Sequence, residues 1–168
     1  LYATGEQMLK GRRVALLCAD GVCEASVQAM RQALSAHGVH SVLLAPHMGC
    51  VKTRQGGRLK VNGTIAGEPS VLFDAVAVPE GTRSLEVLSR CGRARHYLWE
   101  AFRHLKPIAL PGDASAMILA SGLPETGDLG LILEKETPAA MARFLAAMKQ
   151  HRIWSREDKV CGMPKVEK

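Results

Sequence analysis

The chain has 168 residues, 47% hydrophobic and 23% charged, the balance of one soluble domain large enough to bury a full core. Its formal charge of +6 comes from scattered basic residues with only 4% aromatics, which argues against a nucleic-acid platform of stacked bases along a basic stripe. No apolar run is long enough to span a bilayer, and the opening Leu1-Tyr2-Ala3-Thr4-Gly5-Glu6 lacks a basic-then-apolar leader, so a cytoplasmic protein with no membrane partner is expected.

Residues 1–11 form a lead-in with little pattern, and the folded domain is expected over 12–154. The apolar run Val14-Ala15-Leu16-Leu17-Cys18-Ala19, closed by Asp20-Gly21, has the composition of a buried parallel strand feeding a βα loop. Residues 25–36 place Val27, Met30, Ala33 and Leu34 on one helical face, with Gly38 as the stop. A second strand over 39–45, closed by Pro46, completes a βαβ unit. Alternating polar and apolar residues at 51–53 and 58–61, around Gln55-Gly56-Gly57, predict an exposed hairpin. Asn62-Gly63-Thr64 is read as a further hairpin turn rather than a glycosylated sequon.

Ala75-Val76-Ala77-Val78 predicts another buried strand with Pro79-Glu80-Gly81 at its carboxyl end. A short helical turn follows at 85–89, and a helix at 94–105 with Leu98, Ala101, Phe102 and Leu105 in one stripe. Ile108-Ala109-Leu110, the turn Pro111-Gly112-Asp113 and an apolar helix over 114–120 make a third strand–turn–helix. A last strand at 129–133 and an amphipathic helix at 138–150 precede a charged tail, 155–168. The expected architecture is an α/β three-layer sandwich, its central sheet mostly parallel, with an extra β-hairpin. In such sheets ligands gather at the carboxyl ends of the strands. The crevice loops are therefore 20–24, 79–83 and 111–115, offering Asp20, Glu24, Glu80, Thr82 and Ser115.

Neither glycine-rich phosphate cradle, G-x-G-x-x-G or G-x-x-x-x-G-K-[ST], is present, and the first two crevice loops carry only Thr82 as a hydroxyl for a flavin phosphate. The turn after Leu110 has the form of a nucleophile elbow, yet its apex is Gly112 or Asp113 and neither is a usual nucleophile. Cys23 is the alternative reactive thiol; the adjacent Glu24 carboxylate disfavours a thiolate there, and an incidental small residue is the plainer reading. Five cysteines (Cys18, Cys23, Cys50, Cys91 and Cys161) include no C-x-x-C pair, which fits reduced thiols better than disulfides or zinc. His96, His104 and His151 lack metal-ligand spacing, and no metal site is expected.

Four segments together resemble the C-terminal domain of large-subunit haem catalases. They are Gly11-Arg12-Arg13-Val14-Ala15-Leu16-Leu17 with Ala19-Asp20-Gly21-Val22; Ser70-Val71-Leu72-Phe73-Asp74-Ala75-Val76; Glu100-Ala101-Phe102-Arg103-His104-Leu105-Lys106-Pro107-Ile108-Ala109; and His151-Arg152-Ile153-Trp154-Ser155-Arg156. The resemblance implies a flavodoxin-like fold related to the class I glutamine amidotransferase and PfpI-type superfamily. Enzymes of that superfamily pair an elbow cysteine with a histidine and with a glutamate after the first strand. Here the elbow position falls at Gly112 and the glutamate position near Ala25, so both point to a lost active site. The resemblance further implies a catalase barrel domain as partner, other subunits of a homotetramer, and haem held by that barrel with no cofactor in this chain. It implies roles in stability, assembly, shaping of haem access and chaperone-like action. A first residue other than methionine fits a piece of a longer polypeptide. The alternative is a stand-alone PfpI-type stress-response hydrolase or deglycase working through Cys23 or Cys18.

Overall fold

The computed structural model describes residues 8–124 and 128–150. The expected tail, the His151–Arg156 segment, Cys161 and the first residues of the lead-in lie outside them. Among the described residues these strands and α-helices follow in order: β1 (Arg13–Leu17), α1 (Glu24–Ser35), β2 (His40–Ala45), β3 (Cys50–Lys52), β4 (Arg58–Lys60), β5 (Gly63–Thr64), β6 (Ala75–Ala77), α2 (Thr82–Arg90), α3 (Gly92–Arg103), β7 (Ile108–Ala109), α4 (Ser115–Ser121), β8 (Leu131–Ile132) and α5 (Thr137–Met148). A six-stranded sheet runs β5-β2-β1-β6-β7-β8, and every pairing in it is parallel. Without the edge strand β5, this is the doubly wound order in which the chain steps outward from β1 to one side and then to the other. β3 and β4 pair antiparallel as a separate hairpin, Val51 opposite Leu59.

Why the first run forms a central strand is visible in its two faces. Val14, Leu16 and Cys18 join one core cluster with Val27, Met30 and Leu34 of α1 and Met141, Phe144 and Leu145 of α5. Ala15, Leu17 and Ala19 join the other, with Leu85 and Leu88 of α2, Tyr97, Leu98 and Phe102 of α3, and Met117 and Ile118 of α4. A strand alternates its side chains, so a run apolar at every position can be satisfied only with helices on both sides. The result is the three-layer α/β sandwich with its hairpin.

Several boundaries differ from the sequence reading. Leu9, placed in the lead-in, is fully buried, and Gly11 N–H donates to Gly38 O at 2.9 Å, so the core reaches back before residue 12. Asn62-Gly63-Thr64 is no hairpin turn: Gly63 and Thr64 pair in parallel with Leu44 and Ala45. Asn62 holds this edge by accepting Leu43 N–H on Oδ1 at 2.8 Å and donating its own N–H to Leu43 O. The turn expected at 85–89 is a full helix, because Ser84 and Leu85 also face the core. Leu105 lies beyond α3 at φ +62°, where its backbone reverses the chain before Pro107.

Candidate functional site

The site is built where β1, β6 and β7 end. The loop after β1 is stitched to the hairpin: Gly21 N–H donates to Lys52 O, Arg54 N–H donates to Val22 O, and Lys52 N–H donates to Asp20 Oδ1 at 2.8 Å. On its other side the same loop closes on the loop after β6. Cys23 N–H donates to Glu80 O at 2.7 Å, and Gly81, at φ +144°, lies so near that a Cβ would stand 2.6 Å from Gly21 O and 2.9 Å from Val22 Cα. Backbone thus fills the switch point where open sheets of this order leave a crevice.

Behind this closure lies a three-member hydrogen-bond circuit. Glu80 N–H donates to Ser26 Oγ at 3.0 Å, Ser26 Oγ lies 2.9 Å from Thr137 Oγ1, and Thr137 Oγ1 donates to Glu80 Oε1 at 2.9 Å. Each hydroxyl has one hydrogen, and that of Thr137 is committed to Glu80, so Ser26 is the donor to Thr137. Both hydroxyl residues are buried, and the circuit satisfies them in full.

At the third loop, Gly112 takes φ +76°, the sharp strand-to-helix reversal of an elbow. A Cβ there would meet Glu80 Cγ at 3.3 Å, so the Glu80 side chain passes beneath the apex. Asp113 and Ser115 are exposed and bond to each other, with Ser115 Oγ and N–H both donating to Asp113 Oδ1. These bonds hold the Asp113 carboxyl below its ordinary range.

Of the residues singled out from sequence, the structure brings together Glu80 and Gly112, and Asp20 with Thr82, but not all of them around one space. Asp20 and Thr82 line a cleft with Lys52, Arg54 and Arg83. Asp113 and Ser115 line a separate shallow one with Leu110, Ile118 and Leu133. The single three-loop crevice is corrected to two separate spaces. Glu24 turns to Gln28, whose Nε2 donates to its Oε1 at 3.4 Å, and Ala25 is exposed. Cys23 is buried, and the charged group on its sulfur is Arg54, Nη2 to Sγ 3.6 Å, rather than its sequence neighbour Glu24. Cys18 is fully buried, and desolvation pushes its thiol up to about 12, which removes it as a nucleophile near neutral pH.

Sequence reasoning missed Ser26, Thr137, Lys52, Arg54 and Arg83. Ser26 could have been noticed as a hydroxyl among the buried positions of α1; Lys52 and Arg54 read only as the polar face of an exposed hairpin. A larger concavity, about 620 Å³, lies elsewhere, beside α3. There Glu100 takes His96, Arg103 and His104, and Tyr97 Oη donates to Glu68 O at 2.9 Å. Among the described residues no group of three His, Cys, Asp or Glu side chains could hold a metal ion, and no helix is long and apolar enough to cross a membrane.

Comparison with known proteins places this arrangement. The family model described as the C-terminal domain found in long catalases matches residues 10–158. The chain is 43% identical to Catalase HPII of Pseudomonas aeruginosa over 156 residues, 93% of this chain and 22% of that protein. It is 38% identical to Catalase HPII of Pseudomonas putida, over 95% of this chain and 22% of that protein. It is 34% identical to Catalase-B of Dictyostelium discoideum, over 91% of this chain and again 22% of that protein. The chain thus spans about 22% of the length of these relatives, and the match favours an accessory-domain reading over a stand-alone thiol hydrolase. Its fold, its residues 10–158 and its relatives agree: the chain belongs to the family of C-terminal domains found in long catalases.

Proposed function

We propose that this chain is the non-catalytic accessory domain of a hydrogen-peroxide-decomposing haem catalase, with the chemistry and the haem in a barrel domain outside it. The elbow carries this reading. Gly112 has no side chain to attack with, the Glu80 carbons lie against it, and Glu80 Oε1 accepts the Thr137 hydroxyl. An apex without a nucleophile, over a carboxylate used in structure, has nothing with which to form a covalent intermediate. Gly112 and Asp113 are on this reading a degenerate elbow, and Asp20, Glu24, Thr82 and Ser115 have no catalytic role.

The described residues do not fit a haem of their own. Tyr97 in the concavity beside α3 spends its hydroxyl on Glu68 O, burial pushes its pKa above the ordinary phenol value, and His96 and His104 beside it pair with Glu100. The domain's work is then mechanical: it packs on the barrel, contributes to a homotetramer, shapes access to the haem and aids folding, in the cytoplasm and without nucleic-acid or membrane partners.

The test compares the full-length protein with a version lacking this domain and with Cys23→Ala and Asp113→Asn. The point variants are expected to keep peroxide turnover per haem within a factor of two, while the deletion lowers the thermal midpoint of the haem enzyme and its tetramer content. Hydrolase activity abolished by Cys23→Ala would overturn the reading. So would a deletion that leaves midpoint and assembly unchanged.

A further inference from the structure

The cleft of about 430 Å³ between the β1 loop, the hairpin and the start of α2 is lined by Asp20, Lys52, Arg54 and Arg83 among others. That volume suits a small molecule rather than a polymer. Its charge is unbalanced. Among the described residues neither Lys52, Arg54 nor Arg83 has an acidic partner, every ion pair being centred on Glu100 or Glu134. The one lining carboxylate, Asp20, has Oδ1 occupied by Lys52 N–H. Three cationic residues and one carboxylate line the same concave space, which leaves it with a net positive charge.

The backbone that carries the hairpin cations is held in place before any ligand arrives. Lys52 and Arg54 stand on a hairpin whose backbone is bonded to the β1 loop on both sides of Thr53. Arg54 is steadied at Nη2 by Cys23 Sγ, which leaves its other N–H groups for a ligand. The Arg83 stem lies across Gly21, where a Cβ would meet Arg83 Cβ at 2.6 Å and Cγ at 3.1 Å. Gly21, at φ +93°, is what lets the stem lie so low. Fixed donors lose little freedom on binding, and arginine pairs match the oxygens of a phosphate group. No aromatic residue lines the space, so nothing there would stack a base or a flavin ring.

We propose that this cleft binds a small phosphate-bearing anion through Arg54 and Arg83, with Lys52 as a third positive charge. The binding is independent of peroxide chemistry and of any residue at the elbow. The test is calorimetric titration of the full-length protein with inorganic pyrophosphate in low salt, beside a single-stranded oligonucleotide. Wild type is compared with Arg54→Gln, Arg83→Gln and, as an exposed arginine outside the cleft, Arg95→Gln. Saturable pyrophosphate binding is expected, weakened about tenfold by each cleft variant and unchanged by Arg95→Gln. All three cleft side chains are exposed, so the variants should fold, and unchanged circular dichroism checks this. The proposal is overturned by absence of saturable binding, by equal weakening in all three variants, or by binding of the oligonucleotide alone.

Discussion

Replacing Gly81 by alanine should be among the most damaging single-methyl additions in this domain. Two effects add. The backbone at φ +144° lies in a region that a residue with a Cβ enters at about 1–3 kcal/mol. The new methyl would also stand 2.6 Å from Gly21 O, 2.9 Å from Val22 Cα and 3.1 Å from Cys23 N. These are backbone atoms of a loop stitched to the hairpin, and they cannot swing away as a side-chain end could. Parting the loops breaks the bond from Cys23 N–H to Glu80 O, worth about 0.5–1.5 kcal/mol. The sum is roughly 1.5–4.5 kcal/mol, a large share of the 5–15 kcal/mol typical of a domain. Gly122 supplies the control. It also has positive φ, +70°, but nothing lies within 4 Å of its Cβ position, so Gly122→Ala should cost only about 1 kcal/mol. Urea titrations of both variants read the difference, and a Gly81→Ala loss no greater than that of Gly122→Ala would refute the close-approach argument.

Thr137→Val keeps the side-chain shape but leaves the buried Ser26 hydroxyl without its acceptor, and a loss of about 1–3 kcal/mol in urea is expected; a change under 0.5 kcal/mol would show that the circuit is not formed. Phe144→Ala empties the centre of the face between α5 and the sheet, where Phe144 is fully buried, and should cost about 3–5 kcal/mol by the same assay, with a loss below 2 speaking against that packing. For Cys18 the pKa rises from 9.0 to about 12 on folding, so the folded state holds the proton more tightly. Its contribution is full below pH 9 and fades as pH rises toward 12, at up to about 1.4 kcal/mol per pH unit. The stability gap between wild type and Cys18→Ala should therefore narrow from pH 8 to pH 10, and a constant gap would contradict the assigned burial.

Strand positions were legible because each apolar run had one plausible use. Val14 to Ala19 has no polar position to give to solvent, which forces a two-faced burial, and the alternation around Gln55-Gly56-Gly57 forces an exposed hairpin. Gly63-Thr64 misled because two residues carry no periodicity; what decides their place is Asn62 bonding Leu43, a tertiary event. The elbow could be located from Ile108 to Ser115, since strand, turn and helix follow in sequence. Its relation to Glu80 could not, because a contact between loops after different strands leaves no mark on local spacing. The same holds for Lys52 and Arg54, whose significance depends on which loop the hairpin leans against.

The hydrogen-bond circuit has a bearing on the order in which the domain assembles. Ser26 and Thr137 are 111 residues apart, and Glu80 lies 57 residues before Thr137. Until α5 docks, the Ser26 hydroxyl and the Glu80 carboxylate have no Thr137 and must keep their water. Closing such a distant loop is slow, and its reward comes only at the end. The domain therefore cannot dry the region beneath its elbow while the chain is still emerging in synthesis. That step waits for α5, making the arrival of this helix the event that seals the strand ends.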